Sequence, residues 1–234
     1  MLIICDYRAP EEAIATLSKL GKVVLFNGKL LQNAPLQGLP DLFMCQTPDG
    51  LVLAPNIDTQ VLQQINAAAV PFVFGILPAE DKHPEVARYN AVVTRKVTIC
   101  NTQTVDRKIL ERSVQNRIID VRQSYCRCST LALSDDSFIT SDAPTHGKLL
   151  ENNCKSIYVS PKTIRLEGYN HGLFGGCGGM LPSEKTVFFM GSLSTLPNYQ
   201  EIEQAFKDAG LTAVMLTNHS LQDVGGIFFL EDKR

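Results

Sequence analysis

Short apolar runs ending on a small or polar residue recur along this chain, each followed by a loop and an amphipathic stretch. Five of them can be superimposed: Leu2-Ile3-Ile4-Cys5, Leu51-Val52-Leu53-Ala54, Val97-Thr98-Ile99-Cys100, Phe138-Ile139-Thr140-Ser141 and Val187-Phe188-Phe189-Met190. Their last residues fall 41 to 49 residues apart, and counting on from Met190 through the C-terminus to Cys5 gives 49 again. A period that closes on itself marks a repeat architecture.

Each run leads into a polar or small pair: Asp6-Tyr7, Asn56-Ile57 after Pro55, Asn101-Thr102, Asp142-Ala143 and Gly191-Ser192. Apolar positions near i, i+3 and i+4, with helix-start signals, then predict helices over 11–20, 59–69, 106–115, 145–151 and 199–209. Short β-rich runs return at 23–26, 72–75, 118–121, 156–159 and 211–216. Upstream of four of the aligned strands another apolar run and a tight polar turn complete a hairpin, as in Leu42 to Cys45 before Pro48-Asp49-Gly50. The first unit lacks that partner, and Gly226-Ile227-Phe228-Phe229-Leu230, before Glu231-Asp232-Lys233-Arg234, supplies it from the C-terminus. The expectation is an α/β fold: one domain over residues 1–234, a five-fold pseudo-symmetric α/β propeller of ββαβ repeats closed by the C-terminal strand, which abolishes free edges. The alternative is an open α/β sheet whose units resemble one another by chance.

Composition narrows the function classes. With 44% apolar residues the chain can bury a full core, and 22 basic against 24 acidic residues, with no basic run, argue against nucleic acid as a partner. The start Met-Leu-Ile-Ile-Cys-Asp has no basic leader, and no apolar stretch approaches the roughly 18 residues of a membrane span. Seven irregularly spaced cysteines suit reduced thiols, so a cytoplasmic protein without membrane contact is expected. Its oligomeric state stays open.

The repeat, together with the loop Arg165-Leu166-Glu167-Gly168-Tyr169-Asn170, resembles the pentein superfamily of guanidino-group-modifying enzymes, in particular its uncharacterised bacterial branches. Those enzymes carry an acidic-Gly-Gly-Asp loop, where this chain has Asn170 in place of the carboxylate, and a nucleophile near the C-terminus, where Asp223-Val224-Gly225-Gly226-Ile227 contains no cysteine. The resemblance implies a thiol-dependent hydrolase or transferase acting on a guanidine or amidine C–N bond. In such chemistry a thiolate attacks the cationic carbon, a histidine serves as acid and base, and carboxylates grip the nitrogens. A non-catalytic ring that binds a small molecule or a protein is the alternative, since a scaffold does not dictate chemistry.

Residues just past each aligned strand are expected at one mouth of the ring axis, which makes Asp6, Asn56 and Asp142, with Asn101 beside them, candidate ligands for a small cationic molecule. Asp223, before the closing strand, joins them. Capping of the following helices is the competing role for such residues. The loop His171-Gly172-Leu173-Phe174-Gly175-Gly176-Cys177-Gly178-Gly179 makes Cys177 the first candidate nucleophile and His171 its base, against a packed cysteine at a tight strand start. In Tyr125-Cys126-Arg127-Cys128-Ser129 an extended chain would alternate its side chains and point Cys128 to the axis. His146 and His219 are further bases, and His83 reads as a surface residue. No cofactor fingerprint and no metal-ligand spacing is present.

Overall fold

The computed structural model describes residues 1–29 and 31–231, so Asp232, Lys233 and Arg234 of the expected tail lie outside the described residues. In chain order the elements are β1 (Leu2–Asp6), α1 (Glu11–Leu17), β2 (Lys22–Phe26), β3 (Met44–Thr47), β4 (Gly50–Leu53), α2 (Thr59–Ala67), β5 (Phe72–Phe74), β6 (Val92–Val93), β7 (Val97–Cys100), α3 (Arg107–Arg112) and β8 (Arg117–Asp120). Then follow α4 (Cys126–Ser129), β9 (Thr130–Ala132), β10 (Ser137–Thr140), α5 (Ala143–Glu151), β11 (Lys155–Tyr158), β12 (Gly178–Leu181), β13 (Thr186–Phe189), α6 (Tyr199–Asp208), β14 (Thr212–Met215) and β15 (Phe228–Leu230).

The strands form five three-stranded sheets, ordered β15-β1-β2, β3-β4-β5, β6-β7-β8, β9-β10-β11 and β12-β13-β14. In each, the central strand pairs antiparallel with the strand on one side and parallel with the one on the other. A parallel pair needs a crossover, and the helix between the two strands provides it. The C-terminal strand pairs with the N-terminal one in the register Leu2↔Leu230, Ile3↔Phe229 and Ile4↔Phe228.

Burial follows position in the sheet. Central strands β1, β7 and β13 are buried at every residue, as strands covered on both faces must be, whereas the third strands β8, β11 and β14 expose their ends. The helices bury one stripe: Val61 and Ile65 in α2, Ile202 and Phe206 in α6. The antiparallel partner strands are neighbours of one another. β3 lies against β6, β6 against β9 and β12 against β15. Gln46 of β3 donates to the Phe229 carbonyl of β15 at 3.3 Å, and the turn Gly175–Cys177 leading into β12 packs on α4 and β9. Phenylalanines fill the space between sheets, with ring centroids 5.1 Å apart for Phe188 and Phe229 and 5.4 Å for Phe26 and Phe43.

One local expectation is overturned. Tyr125 to Ser129 is not extended: Cys126–Ser129 form a short helical turn, closed by Ser129 N–H on the Tyr125 carbonyl at 2.9 Å and by Ser129 Oγ on the Cys126 carbonyl at 3.1 Å. Alternation therefore does not aim Cys128; the turn does.

Candidate functional site

Each antiparallel partner strand is reached through a short lead-in, and the lead-ins carry buried polar side chains, three of which, Asp41, Asn90 and Cys128, bond to one another. Asp41 sits in the turn Pro40–Leu42 before β3, Asn90 just before β6, Arg127 and Cys128 in α4 before β9, Cys177 in the turn before β12, and Asp223 before β15. Apart from Arg127, these side chains are almost wholly buried: Asp41 and Cys177 at 0% exposure, Asn90 and Cys128 at 2%, Asp223 at 3%.

The Cys128 thiol donates to Asp41 Oδ2 at 2.9 Å. Asn90 holds the same cysteine twice, its Oδ1 accepting from Cys128 N–H at 3.0 Å and its Nδ2 donating to the sulfur at 3.2 Å. Asn90 Nδ2 also reaches the Asp41 carbonyl at 3.3 Å. Asp41 Oδ1, fully buried, has no hydrogen-bond partner among the described residues. Asp223 accepts from Leu173 N–H at 2.8 Å and Gly225 N–H at 3.0 Å. The Arg127 guanidinium donates to the carbonyls of Gly175 and, at 2.9 Å, Gly178, and lies over the Phe228 ring at 5.9 Å from its centroid.

The glycines make this convergence possible. A Cβ on Gly226, whose φ is +81°, would stand 2.6 Å from an Arg127 nitrogen, and one on Gly176 would stand 1.9 Å from Asp223 Oδ1. The glycine-rich loop thus gives room to Asp223, and Gly226 before β15 gives room to Arg127, while Cys177 is buried.

Burial governs the electrostatics. It pushes Asp41 up to about 6, with the Arg127 charge and the bonds from Cys128 and Asn90 pulling the other way. Asp223 rises to about 7, through burial first and the Asp41 charge second, opposed by the Gly225 and Leu173 N–H groups and by Arg127. Both thiols are pushed well above the usual range, by burial first; Asp41 and Asp223 add to it for Cys128, and Asp223 for Cys177.

The other expected site residues have separate duties. Asp6 is bound to Arg8 through both oxygens. Asn56 clamps Ala79, donating to its carbonyl and accepting from its N–H, both at 2.9 Å. Asp142 caps α5, accepting from Thr145 N–H at 2.9 Å and from its hydroxyl at 2.6 Å. Asn101 accepts from Gln103 N–H at 3.1 Å and ties down Arg122 and Ser124. Among the described residues none of these four hydrogen-bonds Asp41, Asn90, Arg127, Cys128, Cys177 or Asp223, so the expected union of Asn56 and Asp142 with Cys128, Cys177 and Asp223 does not form through direct bonds: a free helix N–H and Gln123 Nε2, at 3.2 Å, claim Asp142, and nearby loops claim the others. His171 is exposed, with Nδ1 3.0 Å from the Gly172 carbonyl, while Cys177 donates to the Leu173 carbonyl at 3.3 Å, so the two are not paired. The loop 165–170 is mostly exposed as well. Asp41, Asn90 and Arg127 escaped the sequence reading, although the repeat could have found the first two: aligned on the residues before the partner strands, Asp41, Asn90, Cys128 and Cys177 fall within three residues of a strand start.

Two surface cavities, of about 280 and 240 Å³, are lined by other residues, around Lys22 and Gln64 and around Leu77 and Arg88. Among the described residues no group of three His, Cys, Asp or Glu could hold a metal ion, and no helix is long and apolar enough to cross a membrane. The model of a family of unknown function, DUF6873, matches residues 4–228, and the chain belongs to that family. No curated protein matches it.

Proposed function

We propose that this member of the DUF6873 family closes its five sheets into a ring of the pentein type and acts as a thiol-dependent hydrolase or transferase on a guanidine or amidine C–N bond, with Cys128 as the nucleophile. The observation that carries the reading is the Cys128 thiol 2.9 Å from Asp41 Oδ2 while Asp41 Oδ1 is buried without a partner among the described residues. A thiol beside a carboxylate is a nucleophile beside its proton acceptor, and an unsatisfied buried oxygen awaits an N–H donor.

The chemistry closes on these residues. The thiol proton passes to Asp41, the sulfur forms a bond to the amidinium carbon, and the C–N bond breaks as the departing amine takes the proton back. Water, or an acceptor amine in a transferase, then attacks the carbon, the C–S bond breaks and the thiol is restored. Asp41 with a proton affinity near pH 6 suits a group that takes and returns a proton close to neutrality, the role that histidine has in the enzymes this chain resembles. Asp41 Oδ1 and Asp223 accept from the substrate nitrogens. Cys128 is 2% exposed, so this reading requires the lead-ins to part when substrate binds.

A second reading rests on Arg127. The chain's own guanidinium already lies among these acids, satisfied by the Gly175 and Gly178 carbonyls and the Phe228 ring. A ring so neutralised would serve as a binding scaffold without chemistry. Site-resolved labelling of the native protein with 2-chloroacetamidine and with neutral 2-chloroacetamide separates the two. Selective modification of Cys128 by the cationic reagent is the enzyme's result; slow and indiscriminate labelling of all seven cysteines is the scaffold's.

A further inference from the structure

We infer that Asn90 is a positioning residue for Cys128, setting both the direction of its proton and the ease with which it is lost; the inference rests on the reading of Cys128 as nucleophile. Asn90 is 2% exposed and tied down at its backbone, its N–H on the Ala87 carbonyl at 3.0 Å and its own carbonyl accepting from Cys126 N–H at 3.2 Å. Its carboxamide orientation is determined by chemistry: Cys128 N–H at 3.0 Å needs an acceptor, so Oδ1 faces it and the amino group is turned to the sulfur at 3.2 Å. Nδ2 also spans to the Asp41 carbonyl at 3.3 Å, so one side chain fixes the lead-ins of β3 and β9 against each other.

The sulfur therefore accepts from Asn90 and donates to Asp41. A donor aimed at sulfur stabilises the thiolate, whereas the Asp41 charge opposes it. Asn90 thus favours the ionised thiol in a place where burial and both acids work against it, and it does so without titrating. No other neutral side chain donates to this sulfur among the described residues.

The test is the pH profile of Cys128 alkylation by iodoacetamide in the native full-length protein, read by site-resolved mass spectrometry with the equally buried Cys177 as internal reference. Asn90→Asp keeps the acceptor for Cys128 N–H but loses the donor to sulfur and adds a negative charge. It should slow Cys128 alkylation about tenfold and displace its profile upward by about one pH unit, leaving Cys177 unchanged. Asn90→Ser, a milder change that serves if the aspartate variant fails to fold, should give a displacement in the same direction of about half a unit. An unchanged Cys128 profile in the variant that folds, or a change shared equally by Cys177 through general loosening, would overturn the inference. The functional reading fails separately, on absence of a preference for 2-chloroacetamidine in the wild type, which leaves this profile untouched.

Discussion

The residues that follow the central strands and the residues that precede their antiparallel partners lie at the same end of each sheet, yet they behave differently. Met44 pairs with Leu53, so the lead-in bearing Asp41 stands beside the exit bearing Asn56. Asn56 spends its hydrogen bonds on the loop after β5 and Asp142 on its own helix and on Gln123, whereas Asp41, Asn90 and Cys128 bond to one another across 38 to 87 residues of chain. The lesson is that Asp and Asn at a strand end are not interchangeable. Asp142, at the start of α5, is captured by a free helix N–H, while Asp41, Asn90 and Cys128, each leading into a strand, find partners in one another.

That contrast can be broken, and the largest expected effect is at Arg127. Arg127→Ala removes two hydrogen bonds, a ring contact and the cation facing Asp41 and Asp223, and should cost about 3 kcal/mol or more in denaturant unfolding. Asp223→Ala leaves the Leu173 and Gly225 N–H groups without their acceptor, and about 2 kcal/mol should be lost in the same measurement.

Protonation gives a sharper discriminator. Asp41 and Asp223 have folded values raised to about 6 and about 7, so their favourable contribution is complete below the unfolded carboxylate range near pH 4. It is lost as pH rises through 6 and 7, at no more than about 1.4 kcal/mol per pH unit for each group. Asp41→Asn should flatten this fall, both by removing its own proton and by relieving Asp223 of a neighbouring charge, and a series of unfolding curves between pH 4 and 8 checks it. Asp142→Ala, an exit residue, should cost only the roughly 1 kcal/mol of a lost helix cap, with no change in Cys128 reactivity. His171→Ala should be the smallest of all, below about 0.5 kcal/mol and without effect on thiol labelling, because its ring is exposed and bonded, among the described residues, only to its neighbour's carbonyl.

Much of the fold was legible because burial on both faces writes continuous apolar runs. Ile3 and Ile4, Val52 and Leu53, Phe188 and Phe189 marked the central strands, and the Phe228-Phe229-Leu230 run proved to pair with β1. The site was less legible. Counting from strand ends led to Asn56 and Asp142, which cap and clamp, because the apolar runs that define the period belong to the central strands and not to their partners. Asp41 was hidden by its setting, Leu39-Pro40-Asp41-Leu42, which reads as a turn in a hydrophobic stretch, and Arg127 by its place between Cys126 and Cys128, where the thiols drew the attention. Cys128 was expected at the axis for a reason that does not hold, since a helical turn and Asn90 aim it rather than strand alternation. Cys177, flanked by glycines, attracted more weight than its full burial supports.

The central claim is that the lead-ins converge while the exits do not, and a pair of double-mutant cycles on unfolding free energy tests it most directly. Asp41→Ala combined with Cys128→Ala should show a coupling of about 1 kcal/mol, and Asp142→Ala combined with Cys128→Ala should be additive within about 0.3 kcal/mol. Additivity in the first cycle, or equal coupling in both, would contradict the account.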